Sequence, residues 1–157
     1  MSETWFPGAD ADPGAHVGVL DRVAGLRPAY GEALRAVEAA VWGQDQVAPE
    51  ILELARLRIA QMLGADPALT APPVVVALDA ARLAELRQWP TSIRFGDVER
   101  VALGFAEQLV VDAQGVSDDH AAEVIATMGE GGFLVLTYAC GFFETTQRAS
   151  IVLGTQP

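Results

Sequence analysis

The chain contains no lysine. All ten of its basic residues are Arg, and they stand against 21 acidic residues for a formal net charge of −11. Without an amine there is no Schiff-base nucleophile and no P-loop, which needs a lysine on the phosphates. A field this negative repels phosphate backbones and anionic lipid, so nucleic acid and acidic membrane surfaces are excluded as partners. Cysteine is nearly absent too. Cys140 is the single one, which excludes an intrachain disulfide framework and any all-cysteine metal site. The two histidines, His16 and His120, lie far apart without a cluster of further donors. No metal site and no cofactor are expected.

The usual catalytic spacings are missing as well. The sequence has no G-x-S-x-G, H-E-x-x-H or C-x-x-C. Gly129-Glu130-Gly131-Gly132 is glycine-rich, but no strand precedes it, and it reads as a turn between helices. The first eighteen residues hold Glu3, Asp10 and Asp12 and no Arg. Neither a secretory nor a transit peptide is expected there, and the reading is of a cytoplasmic protein. The longest apolar stretch, Phe133 to Phe143, is interrupted by Thr137 and reads as too short to span a bilayer.

What is present is apolar helix. Hydrophobic residues make up 51% of 157 positions, enough to close a core. Residues 1–17, with Pro7, Gly8, Pro13 and Gly14 among acids, read as an irregular arm; residues 18–157 read as one all-α domain. After Pro28, Leu34, Val37, Ala40 and Val41 recur at helical spacing and Gly43 is placed to end the run. Pro49 opens a second helix that Gly64 closes. Pro72-Pro73 forbids a regular helix there, and Val74-Val75-Val76 is the one strand candidate. Asp79 is read as the cap of a helix that turns Leu83 and Leu86 inward. Asp97 caps a helix with Val98, Val101, Ala102, Phe105 and Leu109 on one stripe, and Ser117 caps the next. The last helix, from about Gly132 to Leu153, is apolar almost all round, so it is expected at the centre or at a subunit contact.

Four residues could carry chemistry. Glu53 lies between Leu52 and Leu54, with Arg56 three positions on. A surface ion pair to Arg56 and a general acid/base carboxylate are both open, and the spacing favours the pair. Glu144 and Arg148 are four apart on the helix expected to be buried, where a pair must find further partners or line a cavity. Cys140 sits mid-helix in the most apolar segment and reads as an inert core thiol, with a reactive thiol as the alternative.

Taken in order, the residues resemble a known family. The run Glu53-Leu54-Ala55-Arg56-Leu57-Arg58-Ile59-Ala60-Gln61-Met62-Leu63-Gly64 resembles the helix before the active site in the carboxymuconolactone decarboxylase and alkylhydroperoxidase D-like superfamily. Trp89 to Leu103, Val116-Ser117-Asp118 and Phe143-Glu144-Thr145-Thr146-Gln147-Arg148 follow the same pattern, with Glu144 where Asn is common. The resemblance covers roughly residues 28 to 153. It implies an alkylhydroperoxidase D-like helical bundle that assembles as a homo-oligomer, a trimer or a hexamer, in line with the apolar surplus of so small a chain.

It also implies a redox site that is not here. In the redox-active relatives a Glu, a C-x-x-C beginning twelve residues later and a His four residues after the second Cys work together. The Glu matches Glu53; the cysteine positions hold Ala65 and Ala68, and the His position holds Pro72. Alanine can neither attack a disulfide nor resolve one. The reading is therefore a thiol-free member that binds a small apolar molecule or does acid/base chemistry near Glu53. Ala65, Ala68, Pro72, Glu144 and Arg148 are expected to line its pocket. Two alternatives stay open: a peroxiredoxin-type antioxidant using Cys140, and a non-catalytic structural oligomer.

Overall fold

The structure, a computed structural model, describes residues 18–153. The arm expected over residues 1–17 lies outside the described residues. Among those described there are six α-helices and no strand: α1 (Val19–Leu26), α2 (Pro28–Gly43), α3 (Pro49–Leu63), α4 (Ala80–Glu85), α5 (Asp97–Val111) and α6 (Asp118–Val152). Short 3-10 turns at Pro67–Thr70, Leu86–Gln88 and Ala113–Gly115 link them. The all-α expectation holds, and Val74 to Val76 form an irregular link in which Val75 is fully exposed.

Local chemistry sets the helix ends. Pro28 and Pro49 open α2 and α3, where a missing N–H costs nothing. Gly64 ends α3 in the left-handed region, at φ 69°, which a Cβ would penalise. Asp79 Oδ1 accepts the Ala81 N–H at 3.1 Å, and Ser117 Oγ accepts the His120 N–H at 3.2 Å, so both are the caps expected. Two expectations need correction. Gly43 is still helical, and α2 is ended by Gln44, whose Oε1 accepts the N–H groups of Gln46 and Val47 at 2.7 and 2.9 Å. Gly96, not Asp97, caps α5; Glu99 reaches back to accept the Gly96 N–H at 2.7 Å while Asp97 occupies the first turn. Helix α1, which sequence reading left unassigned, carries Val19, Leu20, Val23 and Leu26 at helical spacing.

Helices α3, α5 and α6 pack pairwise and enclose the main core. Leu52, Ala55 and Ile59 of α3 meet Ala102, Phe105 and Ala106 of α5 and Leu136, Ala139, Cys140 and Phe143 of α6. A smaller cluster of Leu54, Leu86, Phe95 and Leu103 seats the α4 region on the far side of α3. Arg100 holds the link before α5 by donating to the carbonyls of Trp89, Pro90, Ser92 and Phe95. Leu83, Val98 and Val37, expected inside, are 37%, 46% and 47% exposed.

The helix expected from Ser117 and the one expected from Gly132 form one 35-residue element, α6, broken at a single residue. Gly129, at φ 77° and ψ 170°, is not helical, so two helices meet there across a sharp kink, within the glycine run read as a turn between helices. By length and composition alone this element is long and apolar enough to cross a bilayer, a test that the core helix of a soluble protein also passes. One face of it is core. The opposite face leaves Leu134, Tyr138 and Val152 at 58%, 72% and 63% exposure.

Candidate functional site

Helix α2 places Glu38 and Trp42 four residues apart, one turn above the other on the same face. That face, α1, the Pro67–Thr70 turn and α6 enclose a cavity of about 240 Å³. Trp42, Phe142 and Phe143 wall one side of it. Ring centroids lie 5.6 Å apart for Trp42 and Phe143 and 6.2 Å apart for Phe142 and Phe143, so the three rings are contiguous. Leu69 and Thr70 come from the turn and Thr146 from α6. Asp21 of α1 and Arg35 of α2 stand together as an ion pair on the charged side.

Glu38 is the residue that sequence reasoning missed. On periodicity it belongs to the polar face of α2, and nothing in its spacing distinguishes it from Glu32. In the fold it is half-buried, and loss of water pushes its carboxyl above the ordinary value near 4.5. Arg35 acts against that shift and Asp21 adds to it. A half-dry carboxylate beside aromatic rings in a cavity fits a binding or proton-transfer group.

Glu53 is placed differently from either reading of the sequence. Its partner is Arg56, but the pair is buried: Glu53 is 8% exposed and Arg56 4%. The contact is a two-toothed fork, with Arg56 Nε donating to Glu53 Oε2 and Nη2 to Oε1, both at 2.7 Å. Arg56 Nη1 then reaches Pro67 O at 2.9 Å, Thr70 O at 3.1 Å and Thr70 Oγ1 at 3.0 Å. Gln147, fully buried on α6, donates from Nε2 to the same Thr70 Oγ1 at 2.7 Å. Glu53 therefore fixes Arg56, Arg56 fixes the turn, and the turn forms part of the cavity wall. The Glu53 carboxylate itself does not line the cavity.

The other sequence-derived positions separate. Ala68 lines the cavity, and Pro73 does so where Pro72 was expected. Ala65 lines a separate open groove with Leu57, Gln61 and Arg87. Glu144 and Arg148 do pair, with Arg148 Nε donating to Oε1 at 2.9 Å, but on the outer face of α6. Their side chains are 27% and 56% exposed, so the buried pair expected here is instead a surface one. Glu144 borders an open apolar groove with Val37, Leu109 and Tyr138. Cys140 is fully buried, and burial, with some help from the Glu144 charge, pushes its thiol up to about 12. His120 packs its ring edge-on to Phe105 at 5.8 Å. No group of three metal-ligating side chains occurs among the described residues.

Comparison of the chain with models of known protein families and with curated proteins gave no match in either case.

Proposed function

We propose that this chain is a thiol-free relative of the carboxymuconolactone decarboxylase and alkylhydroperoxidase D-like superfamily that binds a small molecule in the cavity between α1, α2 and α6. The observation that carries the reading is that the contiguous rings of Trp42, Phe142 and Phe143 and the half-dry Glu38 line one cavity of about 240 Å³. A dry apolar cavity of roughly 150 Å³ already accepts benzene, so this one has room for one ring and a short substituent. Its lining joins apolar residues to a charged side made by Asp21, Arg35 and Glu38, so it suits a molecule with both an apolar and a polar part. In this reading Glu53 is a positioning residue. Each of its oxygens accepts from Arg56, and its carboxylate does not line the cavity.

The Cys140 alternative loses support from its surroundings. A thiol whose ionisation is pushed up to about 12 supplies almost no thiolate at neutral pH. Acid/base chemistry would fall to Glu38.

The test is titration with benzyl alcohol, a neutral probe of one ring and one hydroxyl, followed by calorimetry. Binding that is weakened in Phe142→Ala, a change at a half-buried wall position, supports the reading. Equal binding by both proteins, or none by either, contradicts it.

A second observation favours self-association. Leu134, Tyr138, Gly141, Thr145, Arg148 and Val152 follow one another at spacings of four and three along the outer face of α6, a seam of period 3.5. Only 28% of the most apolar 18-residue window of α6 is buried within the chain. A Cβ on Gly141 would meet nothing within 4 Å, so the chain itself does not require glycine there. A mid-helix glycine costs about 1 kcal/mol relative to alanine, and close approach of a second copy would offset that. The trimer or hexamer implied by the resemblance would use this face.

A further inference from the structure

We propose that the molecule held in this cavity is a small organic ammonium ion, with an apolar body against Trp42, Phe142 and Phe143 and its charge against Glu38. The inference rests on the cavity being a binding site and adds the chemical class of what binds. Three features of the site select the class.

The first is the balance of charge. The side chains lining the cavity include two carboxylates, Asp21 and Glu38, and one guanidinium, Arg35. Arg35 is hydrogen-bonded to Asp21 and also attracts Glu38, so one guanidinium is shared by two carboxylates and the lining keeps one negative charge in excess. An anion would have to displace Asp21 from Arg35 and sit beside Glu38 as well; a cation meets the excess negative charge.

The second is the aromatic wall. The faces of aromatic rings attract cations, tryptophan most strongly, by up to about 2 kcal/mol or more where water is excluded. Trp42 and Phe143 are 6% and 1% exposed, so the ring with the most surface open to the cavity is that of half-buried Phe142, backed by the other two. Carboxylate and aromatic rings together form a pocket complementary to an ammonium group attached to a hydrocarbon.

The third is the state of Glu38 itself. Apart from Arg35 and Asp21, the elements around the cavity offer it hydroxyls and hydrocarbon: Thr70 and Leu69 from the turn, Thr146 and the phenylalanines from α6. Burial that makes its ionised form unfavourable in the empty site is reversed when a cation arrives. The field of the chain, at −11, concentrates cations around the cavity and depletes anions.

The experiment compares three probes of nearly equal size: benzylamine as the cation, benzyl alcohol as the neutral form and benzoate as the anion. Each is titrated calorimetrically into the full-length protein and into Glu38→Gln at neutral pH. Circular dichroism confirms that the variant is folded. The expected result is benzylammonium binding about tenfold or more tightly than benzyl alcohol, with benzoate weaker than both. In Glu38→Gln that preference should vanish, the affinities for benzylammonium and benzyl alcohol becoming equal. Equal or tighter binding of benzyl alcohol to the wild-type protein would overturn the inference and leave the small-molecule site standing. A preference for benzoate would overturn it in favour of Arg35 as the anchor. Failure of all three at millimolar concentration would overturn both the inference and the site. An ammonium preference that survives Glu38→Gln would overturn the role given to Glu38.

Discussion

Arg56 and Thr70 are joined through a single nitrogen. Arg56 Nη1 donates to the Thr70 carbonyl at 3.1 Å and to its hydroxyl oxygen at 3.0 Å, while the other edge of the guanidinium is held by Glu53. With Gln147 Nε2 donating to the same hydroxyl, both lone pairs of Thr70 Oγ1 are occupied. These residues tie a turn to the helix core.

Breaking that chain of contacts should therefore cost stability. Glu53→Ala strands a buried guanidinium and is expected to destabilise the protein by about 3–5 kcal/mol. Thr70→Val removes the acceptor for Arg56 and Gln147 and should cost about 1–3 kcal/mol. Chemical denaturation measures both. A loss within experimental error for Glu53→Ala would mean that the pair does not hold the turn.

Cys140 should be silent in the folded protein. A thiol with its ionisation pushed up to about 12 and no solvent access is expected to resist a disulfide reagent at mildly alkaline pH and to react at once after unfolding. The wild-type protein and Cys140→Ala should consume hydroperoxide no faster than buffer in the presence of a dithiol. Cys140→Ala should cost about 1–2 kcal/mol through the small void it leaves. Peroxide consumption lost in the variant would make the cysteine the nucleophile after all.

Glu38 gives stability a pH dependence of definite sign. Its folded-state value is raised, so between the ordinary value near 4.5 and the raised value the folded chain binds more protons than the unfolded one. Stability from this group is fully present below the ordinary value and is lost as pH rises through the folded one. Glu38→Gln should flatten that slope and raise the melting temperature at neutral pH slightly, on the order of 1 °C given partial solvent screening. A lower melting temperature for Glu38→Gln at neutral pH would show that the carboxylate has a stabilising partner.

The outer face of α6 should control assembly. Charges introduced by Leu134→Glu with Tyr138→Glu are expected to give monomers by sedimentation while the helical circular dichroism is kept, because both positions are solvent-exposed within one chain. Gly141→Ala separates two outcomes. In a monomer it should stabilise by about 1 kcal/mol; where a second backbone packs on the glycine it should weaken assembly instead.

Much of the fold was legible because helix signals are local. Pro49, Gly64, Asp79 and Ser117 do in the structure what their types do in any helix, and the apolar spacing of α3 and α5 marks the faces that meet. Helix termini were less legible where two neighbours compete, as Gly96 and Asp97 do, because the Glu99 carboxylate reaching back decides the matter. The site was harder to read. Glu53 and Arg56 stand out as a pair, but spacing is silent on burial, which depends on the distant Pro67–Thr70 turn folding over them. Glu38 carries no sequence signal: its partial burial comes from α1 and α6, and no property of α2 alone encodes it. The reverse holds for Glu144 and Arg148, whose apolar surroundings in sequence suggested burial that the outward face of α6 does not provide.

The central claim is that the cavity bounded by α1, α2, α6 and the Pro67–Thr70 turn is where this protein meets a ligand. The most direct measurement is chemical-shift mapping of backbone amides on titration with small monocyclic amines and alcohols. The account predicts perturbations concentrated at Glu38, Trp42, Thr70 and Phe143, with Ala65 and the outer residues of α6 unmoved. Perturbations that instead gather around Ala65 and Arg87, or no response to any probe, would contradict it.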